Sequence, residues 1–193
     1  MYRYLALFAL CGMLASTAIG QNNDDLKLKA GDAAPDFKAT ATCGTEISLA
    51  NFKEADVVVV VFNCNTCPVA IAYEDRINEF AKNYKDRNVA VVTINNHRSE
   101  TVDDMKKRAE DKGFVFPYAY EGSGDSARAY GAKVTPHIFV LNSERKIAYQ
   151  GAFDDSQKNP QEHYVVDAVE SLLSKKEVKV TYKPAFGCSI KFK

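Results

Sequence analysis

Cys64-Asn65-Thr66-Cys67-Pro68 sets two thiols three positions apart. A bare C-x-x-C serves redox exchange, metal binding or a structural cross-link, so its setting must decide among them. It follows Val57-Val58-Val59-Val60-Val61-Phe62, an unbroken apolar run typical of a strand buried on both faces. It precedes Pro68–Tyr84, in which Ile71, Ile77, Phe80, Ala81 and Tyr84 recur near one helical face. Pro68 suits the first helical position, which needs no N–H. The free N–H groups of that turn and the helix dipole favour a thiolate, and such settings bring a cysteine pKa from ~8.5 down to between ~3.5 and ~7.5. A thiolate opens a disulfide, and a second thiol three residues away releases the product. A structural disulfide across so tight a loop would gain little chain entropy. Zinc would want two further ligands at matching spacing, which the neighbouring sequence lacks. Copper on the two sulfurs plus His97 or His137 is chemically reasonable but rests on isolated histidines. The expectation is therefore redox chemistry, with metal binding behind it.

The segments around this pair must hold it. Val89–Ile94 reads as a second buried strand, and Thr101–Lys112 as a charged helix stopped by Gly113. Phe114–Tyr120 is extended around Pro117, and Asp125–Tyr130 is a short helix closed by Gly131. His137–Leu141 and Ile147–Gly151 suit an antiparallel hairpin around Asn142-Ser143-Glu144-Arg145. Glu162–Lys175 is a last amphipathic helix carrying Val165, Val166, Val169, Leu172 and Leu173, and Val178–Tyr182 alternates as a short strand. This order predicts an α/β fold with a mixed central sheet flanked by helices. Asn95-Asn96-His97-Arg98 is expected as a solvated polar loop at the strand ends, on the site side of the sheet. Gly122-Ser123-Gly124 lacks the strand, Lys and helix of a phosphate loop. No nucleotide, flavin or haem signature is present, so no cofactor is expected.

The chain's 193 residues fit one domain, large enough to bury roughly 70% of its unfolded surface. With 25 Lys+Arg against 25 Asp+Glu, the net charge is zero, which argues against an obligate nucleic-acid binder. Residues 1–20 have the layout of a signal peptide: Arg3, an apolar run from Leu5 to Ala15, and Ala18-Ile19-Gly20 before Gln21. The run is short of the ~20 residues a spanning helix needs, so no stable membrane span is expected after cleavage. Cleavage would remove Cys11 and leave Cys43, Cys64, Cys67 and Cys188 in an oxidising compartment, periplasmic or extracellular. Residues 21–30 read as a loose polar leader, 31–175 as the folded domain, and 176–193 as a tail carrying Cys188.

Three features, matching in order as well as content, resemble the thioredoxin superfamily, and within it exported redoxins related to alkyl hydroperoxide reductase and thiol-specific antioxidant proteins. Gly31-Asp32-Ala33-Ala34-Pro35-Asp36-Phe37 with Ile47-Ser48-Leu49 and Phe52 is similar to the redoxin opening hairpin. Phe62–Pro68 is similar to the active-site turn, and Val134-Thr135-Pro136 to the cis-proline loop. The resemblance implies a thioredoxin-like fold with an N-terminal hairpin. It implies an exposed attacking Cys64, a more buried resolving Cys67, a cis Pro136 beside them, and a Thr135 backbone open to an extended substrate chain. Two positions depart from thioredoxins: Asn63 stands where Trp precedes the first cysteine, and Val58 where a buried Asp accepts protons. Proton transfer would then pass through water or a carboxylate such as Glu74.

The leading expectation is an exported thiol–disulfide oxidoreductase acting on protein or small-molecule thiols and disulfides, supplied by an unidentified electron donor. The first alternative is a thiol-dependent peroxidase, with Cys67 or Cys64 attacking peroxide to give a sulfenic acid. Against it, Cys64 stands where peroxiredoxins have Thr or Ser, and Lys133 is found near the strand where they have Arg. The second alternative is a non-enzymatic metal carrier or binding module on the same fold. Ala185-Phe186-Gly187-Cys188-Ser189-Ile190-Lys191 is similar to tails in this redoxin branch. Cys188 is accordingly either a resolving thiol folded over the active-site turn, a structural partner of Cys43, or unpaired, with the last two preferred.

Overall fold

The computed structural model describes Leu26–Phe192. The expected signal peptide and the first half of the leader lie outside the described residues. The rest of the leader is held rather than loose: Lys27 Nζ donates to the Arg128 carbonyl at 2.5 Å, Gln150 donates to the Leu28 carbonyl, and Lys29 N donates to Asp32 Oδ2 at 2.7 Å.

An opening hairpin, β1 (Ala39–Ala41) and β2 (Glu46–Ile47), leads through a 3-10 turn at Leu49–Phe52 into β3 (Val57–Asn63). Then come α1 (Pro68–Tyr84), β4 (Val89–Asn95), α2 (Val102–Lys112), β5 (Tyr118–Tyr120) and α3 (Asp125–Tyr130). The chain continues through β6 (Val134–Thr135), β7 (His137–Leu141), β8 (Ile147–Gly151), α4 (Tyr164–Leu173), β9 (Tyr182–Lys183) and β10 (Cys188–Ser189). Eight strands form one sheet in the order β2-β1-β5-β4-β3-β7-β8-β9, while β6 and β10 pair separately. β3 runs parallel to β4 and antiparallel to β7, so the fold is a mixed α/β sheet of thioredoxin-like type.

Strand geometry sends successive side chains to opposite faces. Val57, Val59 and Val61 therefore pack with Tyr73, Ile77 and Phe80 of α1 and with Val165 and Val169 of α4. Val58, Val60 and Phe62 pack with Phe37, Leu49, Tyr130 and Phe139 on the other side. A strand covered on both faces needs apolar residues throughout, which is why β3 has no alternation.

α1 spans the expected residues, but Ile71 is exposed, and Ala70 and Tyr73 take the inward positions. α2 begins with a reciprocal cap, Asp104 N donating to Thr101 Oγ1 at 3.1 Å, and ends at Gly113 with φ +59°. The expected strand at Val178–Tyr182 is reduced to Tyr182–Lys183, which pairs parallel with β8. There the chain runs so close that a Cβ on Gly151 would lie 1.6 Å from the Lys183 carbonyl oxygen. Among the described residues, no helix is long and apolar enough to cross a membrane.

Candidate functional site

The cysteine pair bridges the end of β3 and the start of α1. Cys67 is the N-cap, with extended backbone, and its sulfur accepts from Ala70 N at 3.4 Å; Pro68 follows at the first helical position. Facing it is the loop between β6 and β7, where the Thr135–Pro136 peptide is cis. Cys64 Sγ lies 3.2 Å from Thr135 Oγ1, and Cys67 Sγ lies 3.2 Å from the Thr135 carbonyl oxygen. Both sulfurs thus converge on one residue. Cys43, Cys64, Cys67 and Cys188 are all free thiols.

One expectation fails here. Cys64 is only 2% exposed and Cys67 1%, so neither is an open nucleophile. They also differ in acidity. Burial pushes the Cys64 thiol up, and the nearby Glu100 charge adds to that rise against the opposing Thr135 hydroxyl. Burial works in the same direction on Cys67, but hydrogen bonds from the Cys188 thiol, the Ala70 N–H, Thr135 and the Cys188 N–H outweigh it. The net result lies below the ordinary thiol value. Of the two thiols, Cys67 is the more acidic.

Glu100, which sequence reasoning missed, organises the turn. Its buried carboxylate accepts from Asn65 N at 2.9 and 3.0 Å, Thr66 N at 3.1 Å, Thr66 Oγ1 at 2.8 Å and Asn95 Nδ2 at 2.6 Å. Tyr118 Oη joins the cluster, donating to Asn65 Oδ1 at 2.8 Å and accepting from Asn95 Nδ2 at 3.1 Å. Asn96 is tied in the same way to Glu121, at 2.8 Å to its carbonyl and 2.6 Å to its carboxylate. The stretch expected as a solvated loop therefore begins with two buried asparagines. Nothing local in the sequence signals this, because the partners lie on other segments. Glu74 does not reach the thiols: Arg108 holds its buried carboxylate through two bonds, at 2.9 and 2.6 Å.

The two histidines do not join the sulfurs. Among the described residues, no group of three or more His, Cys, Asp or Glu is placed to hold a metal ion. His97 Nδ1 is 3.0 Å from Ser99 Oγ, and His137 is buried, stacked on Phe139 with ring centroids 4.7 Å apart.

The tail crosses this site. β10 pairs antiparallel with β6, Cys188 opposite Thr135 and Ser189 opposite Val134. The Thr135 edge, expected to be open to a substrate strand, is occupied by the chain's own residues. Cys188 N donates to Cys67 Sγ at 3.3 Å, and the Cys188 thiol hydrogen-bonds the same sulfur. Cys43 sits in the exposed turn between β1 and β2 against Thr45, so it is no partner of Cys188.

This arrangement defines a thioredoxin-fold protein with paired thiols at a helix start. Residues 29–169 match the Redoxin family, and the chain belongs to it. It is 24% identical to the thiol-disulfide oxidoreductase ResA of Bacillus thuringiensis subsp. konkukian over 166 residues, covering 84% of this chain and 93% of that one. Among solved structures it is similar to a hypothetical protein from Sinorhizobium meliloti 1021, with 32% identity and a TM-score of 0.81 over 86% of this chain and 96% of that one. An uncharacterised conserved protein from Geobacillus kaustophilus matches at 32% identity and a TM-score of 0.80, over 85% and 92% of the two chains.

Proposed function

We propose that this protein is an exported thiol–disulfide oxidoreductase in which Cys64 and Cys67 cycle between dithiol and disulfide. The observation that carries the reading is the convergence of both sulfurs on Thr135, beside a cis proline and at the N-terminus of α1. Disulfide exchange proceeds by thiolate attack on sulfur, and the donors around Cys67 lower its pKa below that of an ordinary thiol. Thr135 positions the two sulfurs, and Pro136 shapes the loop that brings it there. The resemblance of the domain to ResA, a named thiol-disulfide oxidoreductase, supports the same chemistry. Export rests on the charge, apolar run and small residues of the first twenty positions. The partners are exported protein thiols or disulfides, or small thiols.

The test is reduction of insulin disulfides with dithiothreitol as electron source. Wild type should accelerate the reaction, Cys67→Ser should return it to the uncatalysed rate, and peptide mapping of the oxidised wild type should find a Cys64–Cys67 disulfide. A wild type without effect overturns the reading. A thiol-dependent peroxidase is the second reading, favoured by the depressed pKa of Cys67. It requires consumption of hydrogen peroxide in proportion to thiol, and a trappable sulfenic acid on Cys67 in Cys64→Ser/Cys188→Ser.

A further inference from the structure

The tail is fastened on both sides of Cys188. Before it, the Phe186 ring meets Tyr73 of α1 at a tilt, centroids 6.0 Å apart. Gly187, with φ +154°, passes Thr135 so closely that a Cβ there would lie 1.9 Å from the Thr135 carbonyl oxygen. Beyond it, Ile190 N donates to Lys133 O at 3.0 Å, and the Arg128 guanidinium lies over the Phe192 ring at 4.4 Å. Cys188 is thereby held against Cys67 while its own residue stays exposed. Of the three clustered thiols it is the one that solvent and a bulky partner can reach.

We propose that Cys188 is a third redox cysteine, which exchanges disulfides with Cys67 and carries electrons between the buried pair and an external disulfide. The inference rests on the reading that Cys64 and Cys67 form the redox couple. The exposed thiol meets a substrate RS–SR′ first. Cys188 passes its proton to the Cys67 thiolate along their hydrogen bond and attacks one sulfur; Cys188–SR forms, and R′S⁻ leaves and is protonated by water. Cys67 next attacks Cys188 Sγ, forming Cys67–Cys188, and its proton goes to the departing RS⁻. Cys64, deprotonated by water, then attacks Cys67 Sγ; Cys64–Cys67 forms, and Cys188 leaves as a thiolate that recovers a proton. Each step exchanges one S–S bond for another. The net result is two electrons moved from the Cys64/Cys67 pair to the substrate. Cys188 is pushed up to about 11 by its hydrogen bond to Cys67 and by burial. The largest of these causes is the Cys67 side chain, and it weakens when Cys67 takes up the proton.

The experiment uses the full chain in two variants. In Cys64→Ser, oxidation with diamide followed by alkylation and peptide mapping should give a Cys67–Cys188 cross-link within one chain, with both sulfurs protected. Free, alkylated Cys67 and Cys188, or cross-links only between chains, would overturn the proposal. Cys188→Ser keeps the backbone N–H and nearly the same shape, so the tail stays docked. It should still form Cys64–Cys67 on oxidation, yet lose the acceleration of insulin reduction seen in wild type. Full retention of that acceleration overturns the relay and leaves the two-cysteine reading standing. Failure of Cys64–Cys67 to form in this variant would instead remove the two-cysteine reading and the relay with it.

Discussion

Glu100 and His137 show how single buried polar groups set the acidity of a thiol and the pH dependence of the fold. Glu100 is the shared acceptor for the turn between the cysteines, and its charge raises Cys64. Glu100→Gln turns an amide donor towards groups that are themselves donors. We expect a loss of roughly 1.5–3 kcal/mol, the range for a hydrogen bond to a charged group, read by urea denaturation of the reduced protein. The same variant should shift the pH profile of Cys64 alkylation downwards, because the negative charge that disfavours its thiolate is gone; an unmoved profile would refute that coupling. His137 is neutral in the fold, its pKa pushed down to about 4 by burial and by the Lys133 charge. Neither ring nitrogen has a hydrogen-bond partner among the described residues. Unfolded chains protonate histidine near 6.5. Between those values the unfolded state binds the extra proton, so stability should fall as pH drops from about 6.5 to about 4 and level off below. At 1.36 kcal/mol per pKa unit the full loss is roughly 3 kcal/mol. His137→Phe should abolish this slope in pH-dependent thermal melts, and a slope that survives would assign it to other groups.

At the scale of elements, β10 depends on one glycine. The Gly187 backbone lies at positive φ, which side chains rarely adopt, and any Cβ would collide with the Thr135 carbonyl. Gly187→Val should detach β10, leave β3, α1 and β7 in place, and raise hydrogen exchange at the Cys188 and Ile190 amides, which donate to Cys67 Sγ and Lys133 O. Unchanged protection of those two amides would mean that the strand pairs without the close approach. The reach of sequence reasoning follows the same physics. α1 was legible because Pro68 marks its start and its apolar period is sustained over seventeen residues. α2 was legible through Thr101 and Gly113, and β3 through its run of valines. β9 and β10 are two residues each, and their pairing comes from partners far along the chain. No local pattern encodes that. Ile71 was misplaced because one residue's angle on a helix is finer than an apolar period can resolve.

Across the whole molecule, Cys64 and Cys67 are covered by the tail around Cys188, and two apolar layers beneath them do not depend on that cover. The layers are built on β3, α1, α4 and the strands beside them, with Phe186 packed at the margin of one, and Ile190 and Phe192 at the margin of the other. Deleting residues 186–193 should therefore leave the circular-dichroism spectrum nearly unchanged and cost roughly 1–3 kcal/mol, less than full burial of three large apolar side chains would give. The two effects on the thiols oppose each other. Access to Cys64 and Cys67 opens, while Cys67 loses the thiol and N–H of Cys188 as donors and its pKa rises. A pH series separates them. Well above the thiol range both proteins carry thiolates, so a faster alkylation of the truncated chain there measures access alone. The midpoint of the series then measures the lost donors and should move upwards. Equal rates at high pH would show that the tail does not shield the pair, and an unmoved midpoint would show that the Cys188 donors do not hold the thiolate.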